Sequence, residues 1–411
     1  MKITQIQILL SLMIILPYVS STQNYTALVS LITKDTITSL YTMKLDFNES
    51  YVIDLSSPFL WYHCPKVRYP RVSSLSSHCS QARSYYHLSP SLCTRPPKSS
   101  STSCMVTPVN TVTKRCSSAK LTYKDLIIYW TDGRSPTSVN IFSHVYISCA
   151  PKSLLRSLPT GALGMASLSQ SQLSLTTQFS SEVKKQFSLC LPSTNATPGV
   201  LFFGVGPFYM MPPTPFDVTT ILSYTPLIKN LKALGYYIGL TGISIGGKRI
   251  QVPKGTFKPD RRGRGGVKLD TVVPYTALRR NIYDKFLEEF VNATKGVPRV
   301  KSVEPFDLCL NSTDLGYTRV GYGVPQIDLE LANGKNWTIF GVNSMKQVND
   351  EVACLAFVDG GEMADHAVVI GSFQMEDNFL MFDLVESNLG FSSTLYFIRT
   401  SCGNFNFTTS N

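Results

Sequence analysis

Val52-Ile53-Asp54, running on into Leu55-Ser56-Ser57-Pro58-Phe59-Leu60-Trp61, and Lys268-Leu269-Asp270, running on into Thr271-Val272, are the stretches on which the fold turns. Each sets an aspartate directly after an apolar residue in a strand-like context. Each is followed further on by an apolar pair and a glycine: Ala162-Leu163-Gly164 in the first half, Val369-Ile370-Gly371 in the second. Periodicity alone carries this echo weakly; the shared order of landmarks makes the two halves look related.

Outward from these stretches the chain keeps a β rhythm. Short runs rich in Val, Ile, Tyr, Phe and Thr recur at residues 27–32, 40–45, 51–55, 126–130 and 200–204, with turn residues between them. A helical pattern is clearest at 274–291, where Tyr275, Leu278, Ile282, Phe286, Leu287 and Phe290 fall near one face. Residues 71–118 hold four cysteines and many Ser and Pro, which predicts an irregular, disulfide-tied insertion rather than regular strands. A boundary is expected near 223–232, before a new run of strands opens at Tyr236-Tyr237-Ile238-Gly239-Leu240.

With 411 residues, 43% hydrophobic and 16% charged, the chain can fill two cores of ordinary domain size. Met1-Lys2, the apolar run at 8–19 and the small residues Ser20, Ser21 and Thr22 follow the order of a secretory signal over residues 1–21, which predicts a secreted, extracellular protein. That run is short for a bilayer span, and no later segment offers one. Export turns the even set of Cys64, Cys79, Cys93, Cys104, Cys116, Cys149, Cys190, Cys309, Cys354 and Cys402 into a disulfide framework, with the pairing left open. No C-x-x-C knuckle exists and histidines number five, so no metal or other cofactor is expected. Sequons at Asn24, Asn48, Asn195, Asn292, Asn311, Asn336 and Asn406 mark candidate surface glycans.

The net charge of +11 and pI near 9.1 favour acidic partners. Nucleic acid is disfavoured, because export removes it and the basic residues are dispersed. The densest cluster, Lys258 with Arg261, Arg262 and Arg264, sits among Gly and Pro and reads as a solvated basic loop. Its functional alternative is a contact for acidic wall polysaccharide or an acidic protein.

The paired landmarks, in this order, resemble the bilobal pepsin-like aspartic proteases, in which each lobe supplies one catalytic aspartate. Asp54 to Trp61 is similar to the first active-site loop, Asp-Thr-Gly-Ser followed by Leu-Trp, and Asp270-Thr271-Val272 falls where the second Asp-Thr-Gly belongs. Val369-Ile370-Gly371-Ser372-Phe373, Phe382-Asp383-Leu384 and Leu389-Gly390-Phe391 are similar to the closing strands. The resemblance implies a mainly all-β, bilobal fold with a few short helices: an N-terminal lobe at 22–225 bearing a cysteine-rich insertion at 64–116, and a C-terminal lobe at 226–411. A narrower likeness is to plant extracellular inhibitor-like proteins on this fold: xylanase inhibitors, xyloglucan-endoglucanase inhibitors, dermal glycoproteins and basic globulins. It rests on the cysteine-rich insertion, Thr131-Asp132-Gly133, Val272-Val273-Pro274-Tyr275-Thr276, Gln374-Met375-Glu376-Asp377 and the tail Thr400-Ser401-Cys402-Gly403-Asn404.

Aspartic proteolysis needs two carboxylates sharing one proton and gripping a water, since like charges at contact distance cannot both ionise. Asp54 and Asp270 would be that pair. Leu55 stands where a threonine normally hydrogen-bonds across the lobes, and Val272 where a glycine normally admits backbone and solvent. The family's flap, with a Tyr near two glycines, has no clear counterpart between Cys104 and Tyr123. These departures point to an impaired dyad.

In the inhibitor group, as the resemblance implies, two loops of the second lobe enter a glycoside hydrolase cleft; they correspond to about 311–321 and 395–401. An arginine there can hold a catalytic carboxylate of the target in bidentate fashion. Tyr317-Thr318-Arg319-Val320-Gly321 resembles the xyloglucanase-inhibitor pattern, with Arg319 at its arginine; Ile398 takes the second arginine's place and Arg399 follows. Xylanase inhibitors carry a histidine at Ile398, so a xyloglucan endoglucanase is the expected partner. The alternatives are an active aspartic endopeptidase using Asp54 and Asp270, and a storage or peptide-binding globulin.

Overall fold

The computed structural model describes residues 27–65, 69–88, 90, 93–95, 102–211 and 215–408. The predicted leader at 1–21 and Asn24 lie outside them. Among the described residues no helix is long and apolar enough to cross a membrane.

Strands dominate, and the two halves match element for element around their aspartates. The strand Glu49–Asp54 lies parallel to Ala162–Ser167, and Val267–Leu269 lies parallel to Val368–Ile370. Next to them run Trp61–His63, antiparallel to Ala162–Ser167, and Thr276–Leu278, antiparallel to Val368–Ile370. Each of these short strands then pairs in parallel with an outer strand, Pro136–Ala150 in one half and Phe357–Asp359 in the other. Gly164 and Gly371 occupy the two crossing points. A Cβ would stand 2.0 Å from the Trp61 carbonyl oxygen at the first and 2.5 Å from the Tyr275 carbonyl carbon at the second, so only glycine lets the chains pass.

A sheet joins the halves. Gln186–Cys190 pairs with Gly199–Gly204 on one side and with Phe379–Asp383 on the other, and Asn388–Phe391 and Ser223–Ile228 follow outward. At its centre Phe187 faces Phe382 with rings stacked 4.5 Å apart. These strands are buried over nearly their whole length, which explains the unbroken apolar runs Gly199–Gly204 and Phe379–Asp383.

The ten cysteines pair as Cys64–Cys149, Cys79–Cys104, Cys93–Cys116, Cys190–Cys402 and Cys309–Cys354. Cys190–Cys402 ties the tail to the joining sheet. Asn48, Asn195, Asn292, Asn336 and Asn406 are exposed, whereas Asn311 is half-buried and its Nδ2 donates to Asp314.

Two local expectations are corrected. The helix predicted over 274–291 runs at Arg280–Ala293, and its first residues form the strand Thr276–Leu278. Gln374 decides this: its Oε1 accepts from the backbone N–H and the hydroxyl of Thr276, each at 2.8 Å, while Tyr275 packs on Phe306 and Phe373. The insertion expected to be irregular contains an α-helix, Ser77–Ser84, whose Ser76 cap accepts from Cys79 N–H. Its polar surface gives no apolar stripe to read; the Cys79–Cys104 bond and the burial of Cys79 and Ala82 fasten it.

Candidate functional site

Both aspartates come to the ends of their strands at the junction of the two halves. Thr271 Oγ1 donates to the carbonyl of Ile53 at 2.7 Å, so the two loops touch directly. The matching position in the first half makes no such bond: Leu55, without a hydroxyl, turns into the core and is fully buried.

Asp54 is wholly buried. Its Oδ1 accepts from the N–H groups of Ser56 at 2.7 Å and Ser57 at 3.2 Å, and its Oδ2 accepts from Thr111 Oγ1 at 2.7 Å. Burial and then the charge of Asp270 push its carboxyl above the usual range, against the hydrogen bonds that oppose them. Asp270, 5% exposed, accepts from Val272 N–H on Oδ1 and from Lys268 Nζ on Oδ2 at 2.7 Å. Burial raises this carboxyl too, but the ammonium of Lys268 outweighs it and holds Asp270 below the ordinary value. Lys268 in turn is raised: burial pulls it down, and Asp270 more than compensates. The site therefore contains an internal ion pair beside a carboxyl biased toward its protonated form.

Thr111 belongs to a hairpin of Val109–Asn110 and Arg115–Cys116 that stands where a flap would. It has neither tyrosine nor paired glycines. Asn110 closes the turn by accepting from Thr113 N–H while its Nδ2 donates to the carbonyls of Leu154 and Arg156. Trp61 Nε1 donates to the Val109 carbonyl at 2.9 Å and anchors the base. This hairpin carries none of the residues by which a flap is recognised in sequence; it is formed through Asn110 and Trp61 instead.

Lys268 and Thr111 are the site residues that sequence reasoning missed. A signal existed for Lys268: residues two apart in a strand share a face, so a lysine two before an aspartate sits beside it. None existed for Thr111, whose partner lies 57 positions away.

In front of the aspartates lies a cleft of about 340 Å³, lined among others by Ser56, Ser57, Tyr85, Lys114, Lys232, Tyr237, Arg262, Arg264, Lys268 and Val272. Val272 narrows its floor, where a glycine would leave room.

Arg319 and Arg399 stand elsewhere, both exposed and without an ion-pair partner among the described residues. Arg319 sits in the turn between Tyr317–Thr318 and Gly321–Tyr322. Arg399 follows the 3-10 turn Leu395–Ile398 in a left-handed conformation, φ 60°. Residues 340–342 bring the two segments together: Val342 N–H donates to the Val320 carbonyl at 2.8 Å, and the ring of Phe340 meets Phe397 edge-on at 4.7 Å.

The family described as Xylanase inhibitor N-terminal matches residues 39–205, and Xylanase inhibitor C-terminal matches 235–393. The chain is 40% identical to a protein of Oryza sativa subsp. japonica named Chitinase CLP, over 93% of this chain and 91% of that one. It resembles the crystal structure of edgp with a TM-score of 0.85 and 34% identity, covering 94% of this chain and 99% of that one. An aspartic proteinase from Irpex lacteus shares the fold alone, at a TM-score of 0.56 and 11% identity over 91% of this chain and 99% of that one. Two halves matched in order, with one aspartate strand each on a pepsin-like scaffold, place the chain in the xylanase-inhibitor family of pepsin-fold proteins.

Proposed function

We propose that this protein is a secreted, catalytically impaired aspartic-protease homologue that inhibits a cell-wall glycoside hydrolase, with a xyloglucan endoglucanase favoured over a xylanase. The observation that carries it is the shared face of the two arginine-bearing segments, joined through Phe340 and Val342. Around Arg319 and Arg399 that face presents Tyr317, 74% exposed, and Phe397, 49% exposed. Aromatic residues beside arginine are the composition of interface anchors, and a guanidinium fits the paired carboxylates of a glycosidase cleft. Ile398 supplies no histidine, which is the reason for preferring a xyloglucanase. A glycan on Asn311 would sit at the edge of this face. Five disulfides and exposed sequons accord with an oxidising, exported setting.

Impairment is supported by the dyad's hydrogen bonds. The Oδ2 atoms of Asp54 and Asp270 already accept from Thr111 and Lys268, so a catalytic water would have to share both oxygens with internal donors. The test is activity loss across a panel of xyloglucanases and xylanases titrated with the protein. Inhibition of a xyloglucanase, weakened at least about tenfold in Ki by Arg319→Ala, is expected on the scale of an anchor residue; no inhibition anywhere in the panel rejects the reading.

A second reading, an aspartic endopeptidase, draws on the opposite shifts of the two carboxyls, the arrangement that separates an acid from a base. Pepstatin-sensitive cleavage of casein at acid pH, lost in Asp270→Asn, would replace the inhibitor reading with this one.

A further inference from the structure

The cleft between the halves carries a charge that neither reading uses. Cations reach it from three separate segments: Lys114 from the hairpin turn, Lys232 from the connection before Tyr236–Ile238, and Arg262 and Arg264 from the loop before Val267–Leu269, with Lys268 at the floor. Two of the five are neutralised within the molecule, Lys268 by Asp270 and Arg264 by Asp260 at 3.4 Å. Lys114, Lys232 and Arg262 are exposed, and among the described residues their side chains have no ion pair or hydrogen-bond acceptor. The acidic groups on the lining are Asp270, already paired, and Asp365. Low-dielectric walls around like charges focus their field into the cleft and favour an anion there.

The floor adds a second requirement. Ser56 and Ser57 line the cleft, and their hydroxyls are buried without a hydrogen-bond partner among the described residues; Ser57 is 2% exposed. A buried hydroxyl left unmatched costs about 1–3 kcal/mol, recovered when a ligand supplies the bond. Tyr85, half-buried, gives one wall a flat apolar surface, with the buried Tyr237 behind the opposite side. Carboxylates for the cations, hydroxyls for the serines and C–H faces for the rings coincide in one ligand chemistry, that of uronic acid sugars. An acidic peptide would supply the carboxylates but few hydroxyls. A volume of about 340 Å³ lies at the small end of ligand pockets, which suits a short oligomer's end.

We propose that this cleft binds the end of a hexuronic acid oligomer, its carboxylates paired with Lys114, Lys232 and Arg262 and its ring hydroxyls bonded to Ser56 and Ser57. The site is separate from the face bearing Arg319, so the two can be tested apart.

Calorimetric titration of the intact protein with a galacturonic acid oligomer tests it, alongside the fully methyl-esterified oligomer and an acidic hexapeptide. Binding is expected to weaken roughly tenfold or more, about 1.4 kcal/mol, in the double variant Lys232→Ala/Arg262→Ala. It should stay within about twofold in the charge-matched control Lys301→Ala/Lys335→Ala, whose residues are exposed and off the cleft lining, and in Arg319→Ala. Loss of affinity on esterification completes the expected result. Equal weakening by both double variants would reduce the effect to overall charge. Undiminished binding of the ester, or binding of the hexapeptide in place of the oligomer, would also overturn the proposal, as would no binding of the acid oligomer at low salt.

Discussion

Asp54 and Asp270 are the same residue type at matching places in two related halves, yet their surroundings assign them opposite behaviour. Asp270 is the anion of a buried ion pair, while Asp54 is a buried carboxyl shifted toward its neutral form. Neutral substitutions should expose the difference. Asp270→Asn strands Lys268 as an unpaired, buried ammonium and should cost about 3–5 kcal/mol of stability at pH 7. Asp54→Asn keeps an oxygen for the Ser56 and Ser57 N–H groups and should cost about 1 kcal/mol or less. Urea unfolding of both variants checks this, and equal losses would contradict the assignment. The two aspartates were legible from their strand-like settings and paired order. Their unequal chemistry depends on which side-chain donors the fold delivers to each oxygen: Lys268 lies two positions from Asp270, whereas Thr111 lies 57 positions from Asp54.

At the scale of elements, the Cys93–Cys116 disulfide fastens the second strand of the hairpin at 109–116, and the hairpin closes over Asp54 through Trp61 at its base, Asn110 in its turn and Thr111 on the carboxylate. Thr111→Val keeps the shape and removes the hydrogen bond. The expected result is a loss of about 1.5–3 kcal/mol and faster amide exchange confined to residues 109–116, read by hydrogen-exchange mass spectrometry. A further rise of the Asp54 carboxyl should accompany it, since that hydrogen bond favours the ionised form. Strand positions were readable because β-branched and aromatic runs alternate with turns. The hairpin was not: its two-residue strands carry no periodicity, and its glycine-free turn relies on Asn110 and on Lys114 at φ 58°. The split of 274–291 into a strand and a helix shows the same limit, since Gln374, about a hundred positions away, claims Thr276 for the strand.

Across the whole molecule, the tail and the joining sheet are held by Cys190–Cys402, which closes a loop spanning 212 positions. Replacing both cysteines by alanine should cost about 2–5 kcal/mol, measured by urea unfolding under oxidising conditions. Close by, Glu376 Oε1 accepts from Lys34 Nζ at 2.7 Å and Tyr41 Oη at 2.5 Å. Burial pushes the Glu376 carboxyl up to about 7 despite Lys34 and Tyr41, and Asp377 adds to the rise; Lys346 also faces the group. An unfolded glutamate titrates near 4.5, so between that pH and about 7 the folded state binds more protons. Stability carried by this group is therefore full below pH 4.5 and declines as pH rises through 7, by roughly 3 kcal/mol. Burial of His366 lowers its pKa and acts in the opposite sense, with stability lost as pH falls below 6.5. The Glu376 contribution is therefore read as the difference between wild type and Glu376→Gln in urea midpoints across this range. A difference that does not change with pH would rule it out.

The order of landmarks along the chain determined the mainly β, bilobal pepsin-like scaffold, because apolar runs, turn residues and the paired aspartates are local signals repeated in both halves. The cysteine count announced a bonded framework but not its pairing, which needs Cα separations near 5 Å that only the folded chain defines. Tertiary structure alone decided that Thr111 closes on Asp54, that Phe340 and Val342 unite the two arginine segments, and that cations from three segments meet in one cleft. Each of these is a contact between residues far apart in sequence, where side-chain chemistry is visible but proximity is not.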